Sequence, residues 1–111
     1  MNASISFDSK GVIVSSGAEE GGESRVDWER IKSIYVFKKD LLTVDLICLA
    51  FDLENRASIE LNEDMAGWQE LAENLPEYLP GCKSFAEWYM DVAFPAFETK
   101  LTCIYAKESN D

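Results

Sequence analysis

The stretch that decides the fold is VDLICLAFDLENRASIELNEDMAGWQELAENL, residues 44–75. Its first eight residues, Val44 through Phe51, are almost continuously apolar. A strand apolar on both faces must be covered on both, so this one is predicted to lie centrally, beneath a helix or inside a closed or sandwiched sheet. Residues 52–56 (DLENR) are turn formers, and Ala57, Ile59 and Leu61 then alternate with polar neighbours, which predicts a hairpin. After Leu61 the spacing changes. Met65, Trp68, Leu71, Ala72 and Leu75 recur at three- and four-residue intervals, which is one face of a helix. Asn62 or Asp64 is placed to cap that helix, and early acids suit the positive end of its dipole. Pro76, Pro80 and Gly81 are expected to end it between Leu75 and Leu79.

Upstream, Ile5 and Phe7 alternate with serines, Asp8 through Gly11 form a turn cluster, and Val12, Ile13 and Val14 resume the strand pattern. Residues 17–24 (GAEEGGES), with three glycines and three glutamates, read as a loop. Val26, Trp28, Ile31 and Ile34 pass from period two to period three, as in a strand that breaks into a turn capped by Asp27 and restarts through Phe37. Lys38, Lys39 and Asp40 read as the opening of a charged loop. Downstream, Ser84 and Glu87 have the spacing of a capping box for a second, short helix that stops before Pro95. Residues 99–107 form a final strand, with Leu101, Cys103 and Tyr105 on one side and Thr102, Ile104 and Ala106 on the other. The expectation is therefore one α+β domain over residues 1–111. It has a curved, mainly antiparallel sheet of six to seven strands, one longer helix and one short helix near the C-terminus.

A chain of 111 residues hides roughly 65% of its unfolded surface on folding, enough for one shared core without staples. Six Phe, four Tyr and three Trp supply the bulk to fill it. The outlier is charge, −11 from ten basic and 21 acidic side chains. Duplex nucleic acid and anionic membranes are bound mainly through Lys and Arg, so this balance speaks against both. It suits a partner with a basic surface, or plain solubility. The first residues lack the basic and apolar runs of a signal peptide, and no stretch reaches the roughly 20 apolar residues that span a bilayer. Cys48, Cys82 and Cys103 are odd in number and widely spaced, which favours reduced thiols in a cytoplasm over a disulfide framework.

Several runs together resemble a known family. They are Val26, Trp28, Ile31 and Ile34; Lys38, Asp40, Leu41, Thr43 and Asp45; Gly67, Trp68 and Leu71; residues 75–81; and residues 88–97. In these, covering about three-quarters of the chain, the sequence is similar to an uncharacterised family of short bacterial proteins with a pleckstrin-homology-like sheet and a packed helix. The resemblance implies that fold and carries no activity, cofactor or catalytic residue. Some small acidic members of such folds act as antidotes that bind a toxin, so the resemblance implies a protein partner. Pleckstrin-homology lipid binding needs a basic mouth, and the chain has no basic cluster beyond Lys38 and Lys39.

No histidine is present, which removes the commonest general base and the usual nucleophile and metal partners. Phosphate-cradling glycine loops and the G-x-S-x-G nucleophile motif are also missing, so no enzyme, cofactor or metal is expected. Cys48 and Cys103 read as small core residues, and Cys82, beside Pro80 and Gly81, as the one exposed thiol. Trp28, Trp68 and Trp88 stand in register with other apolar residues and read as core. The Ala93 to Phe97 segment (AFPAF) either tucks under or forms a contact patch.

The candidate partner-binding residues are two acidic groups: Glu19, Glu20 and Glu23, and Glu60, Glu63 and Asp64. Solvated carboxylates are the plain alternative; as docking groups they would speed encounter with a basic partner and select it. Two functional readings follow. One is a non-catalytic binding module, of antidote or adaptor type. The other is a small-ligand domain with an apolar pocket between the sheet and the 65–79 helix, near Tyr35, Phe37, Trp68 and Tyr78.

Overall fold

The computed structural model describes residues 3–15, 22–40, 44–93 and 101–107. They form an α+β fold of seven antiparallel strands in two sheets, with two helices. Strands β1 (Ser4–Phe7), β2 (Gly11–Ser15) and β3 (Glu23–Asp27) make a three-stranded meander. Strands β4 (Ile31–Asp40), β5 (Asp45–Leu53), β6 (Ser58–Asn62) and β7 (Thr102–Ala106) form the second sheet in the order β6-β5-β4-β7. Helices α1 (Trp68–Tyr78) and α2 (Phe85–Ala93) lie between β6 and β7 in the chain.

Two sheets replace the single curved one expected. The break is a 3-10 turn at Trp28–Arg30, where the anticipated Asp27 occupies the cap position without a side-chain hydrogen bond. Buried Trp28 is the pivot: its backbone N–H donates to the Lys10 carbonyl (3.0 Å) and its indole Nε1 to the Asp8 carbonyl (2.8 Å). Those bonds tie the turn to the first hairpin while β4 leaves to pair with β5. Glu23 and Ser24, read as loop, belong to β3 and pair with Ser15 and Val14.

The decisive stretch behaves largely as its periodicity demands. β5 is flanked on both sides, and Ile47, Cys48, Leu49, Phe51 and Leu53 are buried. Val44 stays outside it, 57% exposed. In β6, Leu61 is buried, Ile59 half-buried and Ala57 exposed just before it, so burial rises along the strand. Trp68, Leu71, Ala72 and Leu75 form the buried face of α1.

The start of α1 differs from expectation, whereas its end, at Tyr78, falls within the expected Leu75–Leu79. Neither Asn62 nor Asp64 caps it; Asn62 ends β6, and its Oδ1 accepts the Asp64 N–H (3.0 Å), closing a turn. Gly67, at φ +90°, takes the cap position, because Ala66 is committed to β1: the Ile5 N–H donates to the Ala66 carbonyl (2.7 Å). At the other end Pro76 lies inside the helix rather than stopping it. It forfeits one backbone bond, but the buried Leu75 and Leu79 hold the last turn, with the Leu79 N–H on the Leu75 carbonyl (2.8 Å). α2 opens as expected on a capping box: the Ser84 N–H donates to Glu87 Oε1 (3.0 Å) and the Glu87 N–H to Ser84 Oγ (3.3 Å). The Ser84 N–H first, then the Ser84 side chain, holds the Glu87 carboxyl below its ordinary value.

Lys38 and Lys39 do not open a loop. The β4–β5 ladder runs out to the pair Asp40 and Asp45, so both lysines are strand residues. Strand parity then puts Lys38 on the inner face with Ile34 and Val36, 1% exposed. Its Nζ donates to the Ala93 carbonyl at the C-terminus of α2 (2.9 Å) and stands 3.5 Å from Asp45 Oδ2. A cation at that end of a helix meets carbonyls without intrahelical partners and the negative pole of the dipole.

Asp8 organises the first hairpin. Its Oδ1 accepts from the N–H groups of Lys10 (2.9 Å) and Gly11 (3.1 Å), and both carboxylate oxygens accept from the Arg25 guanidinium. The Arg25 side chain first, then the Lys10 N–H, holds this carboxyl well below the usual aspartate range. A depressed folded value means a contribution that is complete above the unfolded value, near about 4, and fades as pH falls below it. Melting followed by circular dichroism at stepped acid pH should therefore show a shallower acid loss of stability in Asp8→Asn than in the parent, and a lower melting temperature at neutral pH. Parallel acid profiles would refute this role.

Candidate partner-binding surface

Of the six acidic candidates, Glu19 and Glu20 lie outside the described residues. Glu23 is exposed on β3, in the other sheet from the second group. Glu60 is exposed on β6 and forms an ion pair with Lys39. Glu63 is exposed but tethered: its N–H donates to the Ile47 carbonyl (3.0 Å), and its Oε2 accepts the Ile47 N–H (2.8 Å). Asp64 is exposed in the turn that follows. The chain thus gathers Glu60, Glu63 and Asp64 at the end of β6 and the approach to α1, with Glu23 on a separate element.

Sequence reading missed the neighbour of that group. Glu63, Trp68, Gln69, Phe85 and Tyr89 line a hollow of about 280 Å³ where α1 and α2 begin. Phe85 and Tyr89 stack obliquely at 4.8 Å, and Phe85 meets the Trp88 ring edge-on at 5.0 Å. Trp68 packs edge-on against Phe85 (6.4 Å) and Trp88 (6.3 Å). Such tilted and edge-on pairs are the favoured aromatic geometries. Trp68 and Trp88 are buried, as their register predicts, yet each indole Nε1 lacks a hydrogen-bond partner among the described residues. The usable signal was the F-x-x-W-Y spacing of Phe85, Trp88 and Tyr89, which puts three rings on adjoining positions of one helix.

Three of the four aromatics of the small-ligand reading, Tyr35, Trp68 and Tyr78, have different neighbours. Tyr78 stacks flat on Trp28 (4.9 Å, 5°) and meets Phe7 edge-on (5.7 Å). Tyr35 lines a polar hollow of about 470 Å³ with Lys32, Ser33, Asp52 and Arg56. Trp68 belongs to the hollow between the helices. Of the AFPAF segment, Ala93 ends α2 and residues 94–97 lie outside the described residues.

The thiols sort differently from the sequence expectation. Cys48 is buried as anticipated, but Cys82 is buried and Cys103 exposed. Cys82 is drawn in because its N–H donates to the Leu79 carbonyl (3.0 Å) and the next residue, Lys83, donates to the Ile104 carbonyl (2.9 Å). Cys103 faces out because Ile104 takes the buried position of β7, which leaves Leu101 69% exposed. Burial pushes the Cys48 thiol up to about 11 and that of Cys82 up to about 12. Only thiolates react quickly, so a disulfide reagent at mildly alkaline pH should titrate one fast thiol in the native protein and all three in denaturant. Cys103→Ser should abolish the fast phase; fast labelling that survives it would contradict the assignment.

Among the described residues no three His, Cys, Asp or Glu side chains converge to hold a metal ion. No helix there is long and apolar enough to cross a membrane. No family model, curated protein or solved structure matches the chain.

Proposed function

We propose that the chain is a non-catalytic protein-binding module of antidote or adaptor type, on a pleckstrin-homology-like frame, whose acidic face receives a basic surface of another protein. The observation that carries the reading is the charge of its helical side. Residues 63–91 hold seven carboxylates, all exposed, and one basic side chain, Lys83. Elsewhere, four of the eight basic side chains among the described residues are paired within the molecule: Arg25 with Asp8, Lys38 with Asp45, Lys39 with Glu60 and Lys107 with Glu54. Unneutralised charge of one sign on one face steers encounter with a partner of the other sign. Seven antiparallel strands in a three- and a four-stranded sheet, with two helices, support the frame.

Affinity capture with the whole chain from a bacterial cytoplasm, followed by binding measurements on the purified partner, tests this. The expected partner is basic, and its affinity falls as salt rises. An acidic partner, or affinity indifferent to salt, would overturn the reading.

A further inference from the structure

We propose that the aromatic hollow at the start of α1 and α2 is the seat of an arginine side chain of the partner protein, an inference that rests on the acidic-module reading above. At about 280 Å³ the hollow is at the small end of ligand-sized cavities and has room for one inserted side chain. Its walls combine two features that an arginine satisfies together. Phe85 and Tyr89, half-buried and stacked on each other, offer ring surface to a planar cation. Glu63 stands in the wall with one carboxylate oxygen engaged by Ile47 N–H, so the group is held in place. Trp68, 3% exposed, also lines the hollow, and its indole N–H has no acceptor among the described residues, so its signal reports on what enters there.

The helix starts would favour an anion, but the local balance runs the other way. Each helix end is equivalent to roughly half a charge. The α2 end is already occupied by the Glu87 carboxylate of the capping box, and Glu70 stands in the first turn of α1. With Glu63 in the wall and Asp64 next to it, full negative charges outweigh the partial positive ones.

The test uses the whole protein and acetyl-Gly-Arg-Gly-amide, with counterparts carrying lysine, norleucine or glutamate in place of arginine. Indole signals are followed in proton–nitrogen correlation spectra and assigned with single Trp→Phe variants. The arginine peptide should move the Trp68 signal with saturation at roughly millimolar concentration, leaving Trp28 unmoved. Lysine should bind more weakly, and norleucine and glutamate should not bind. Glu63→Gln keeps an acceptor for Ile47 and should weaken binding about tenfold; Tyr89→Leu should weaken it about threefold. The same spectra report whether each variant is folded.

An unmoved Trp68 signal, equal shifts with norleucine or glutamate, lysine binding as tight as arginine, or full affinity in Glu63→Gln would overturn the proposal. Failure of the two readings is separable. A basic partner whose salt-sensitive affinity survives Glu63→Gln removes the arginine seat and leaves the module. Arginine binding at the hollow, with only acidic partners captured, removes the module and leaves the seat.

Discussion

Gly67→Ala is expected to lower the free energy of unfolding by about 3–5 kcal/mol, a large share of what a domain of this size possesses. Two effects add. The position sits at φ +90°, where a Cβ is strained in any surroundings. A Cβ there would also stand 2.1 Å from the Ile5 carbonyl oxygen and 3.1 Å from its carbon, both backbone atoms that no side-chain rotation can move. Relief requires separating β1 from the start of α1 and giving up the bond from Ile5 N–H to the Ala66 carbonyl. Gly81 isolates the first effect: its φ is +94°, yet a Cβ there meets nothing within 4 Å. Gly81→Ala should therefore cost only about 1–2 kcal/mol. Urea unfolding of the two variants measures both. Equal losses would mean that the approach of β1 to Gly67 does not constrain the fold.

Lys38→Ala should cost a comparable amount, about 3–5 kcal/mol, because it empties a core position, strips the donor from the Ala93 carbonyl and removes the cation facing Asp45. Lys38→Met keeps most of the stem volume and should cost about 2 kcal/mol, the part due to the ammonium contacts. Asp45, whose side chain is 16% exposed, should then couple with it. Asp45→Asn should be less harmful in the Lys38→Met background than in the parent, which a double-mutant cycle with chemical denaturation resolves. Additive losses would show that the ammonium and Asp45 are not coupled, and a Lys38→Met variant as stable as the parent would show that the buried ammonium contributes nothing.

Lys38 also shows where reading the sequence stops. Two adjacent lysines and an aspartate look like solvated loop when each residue is judged by its own polarity. The strand continues through them because β5 offers pairing partners as far as Asp45, and parity then sends Lys38 inward. The acidic candidates divide for a similar reason. Glu60, Glu63 and Asp64 are close in the chain and remain neighbours. Grouping them with Glu23 required knowing which sheet β3 joins, and β3 belongs to the other one. The aromatic hollow needed the meeting of two helices whose lining residues, Trp68 and Phe85, begin separate elements.

Sequence by itself determined what depends on neighbours within a few residues. That includes the α+β class, the hairpins, the buried face of α1, the three core tryptophans and the Ser84–Glu87 capping box. Tertiary structure alone decided the split into two sheets, the start of α1 at Gly67, the survival of its last turn past Pro76, and the exchange of exposure between Cys82 and Cys103. Periodicity records which side chains share a face of an element. Which face meets the core, and which backbone groups meet across it, depends on segments distant in the chain, such as Ile5 against Ala66 and Lys83 against Ile104.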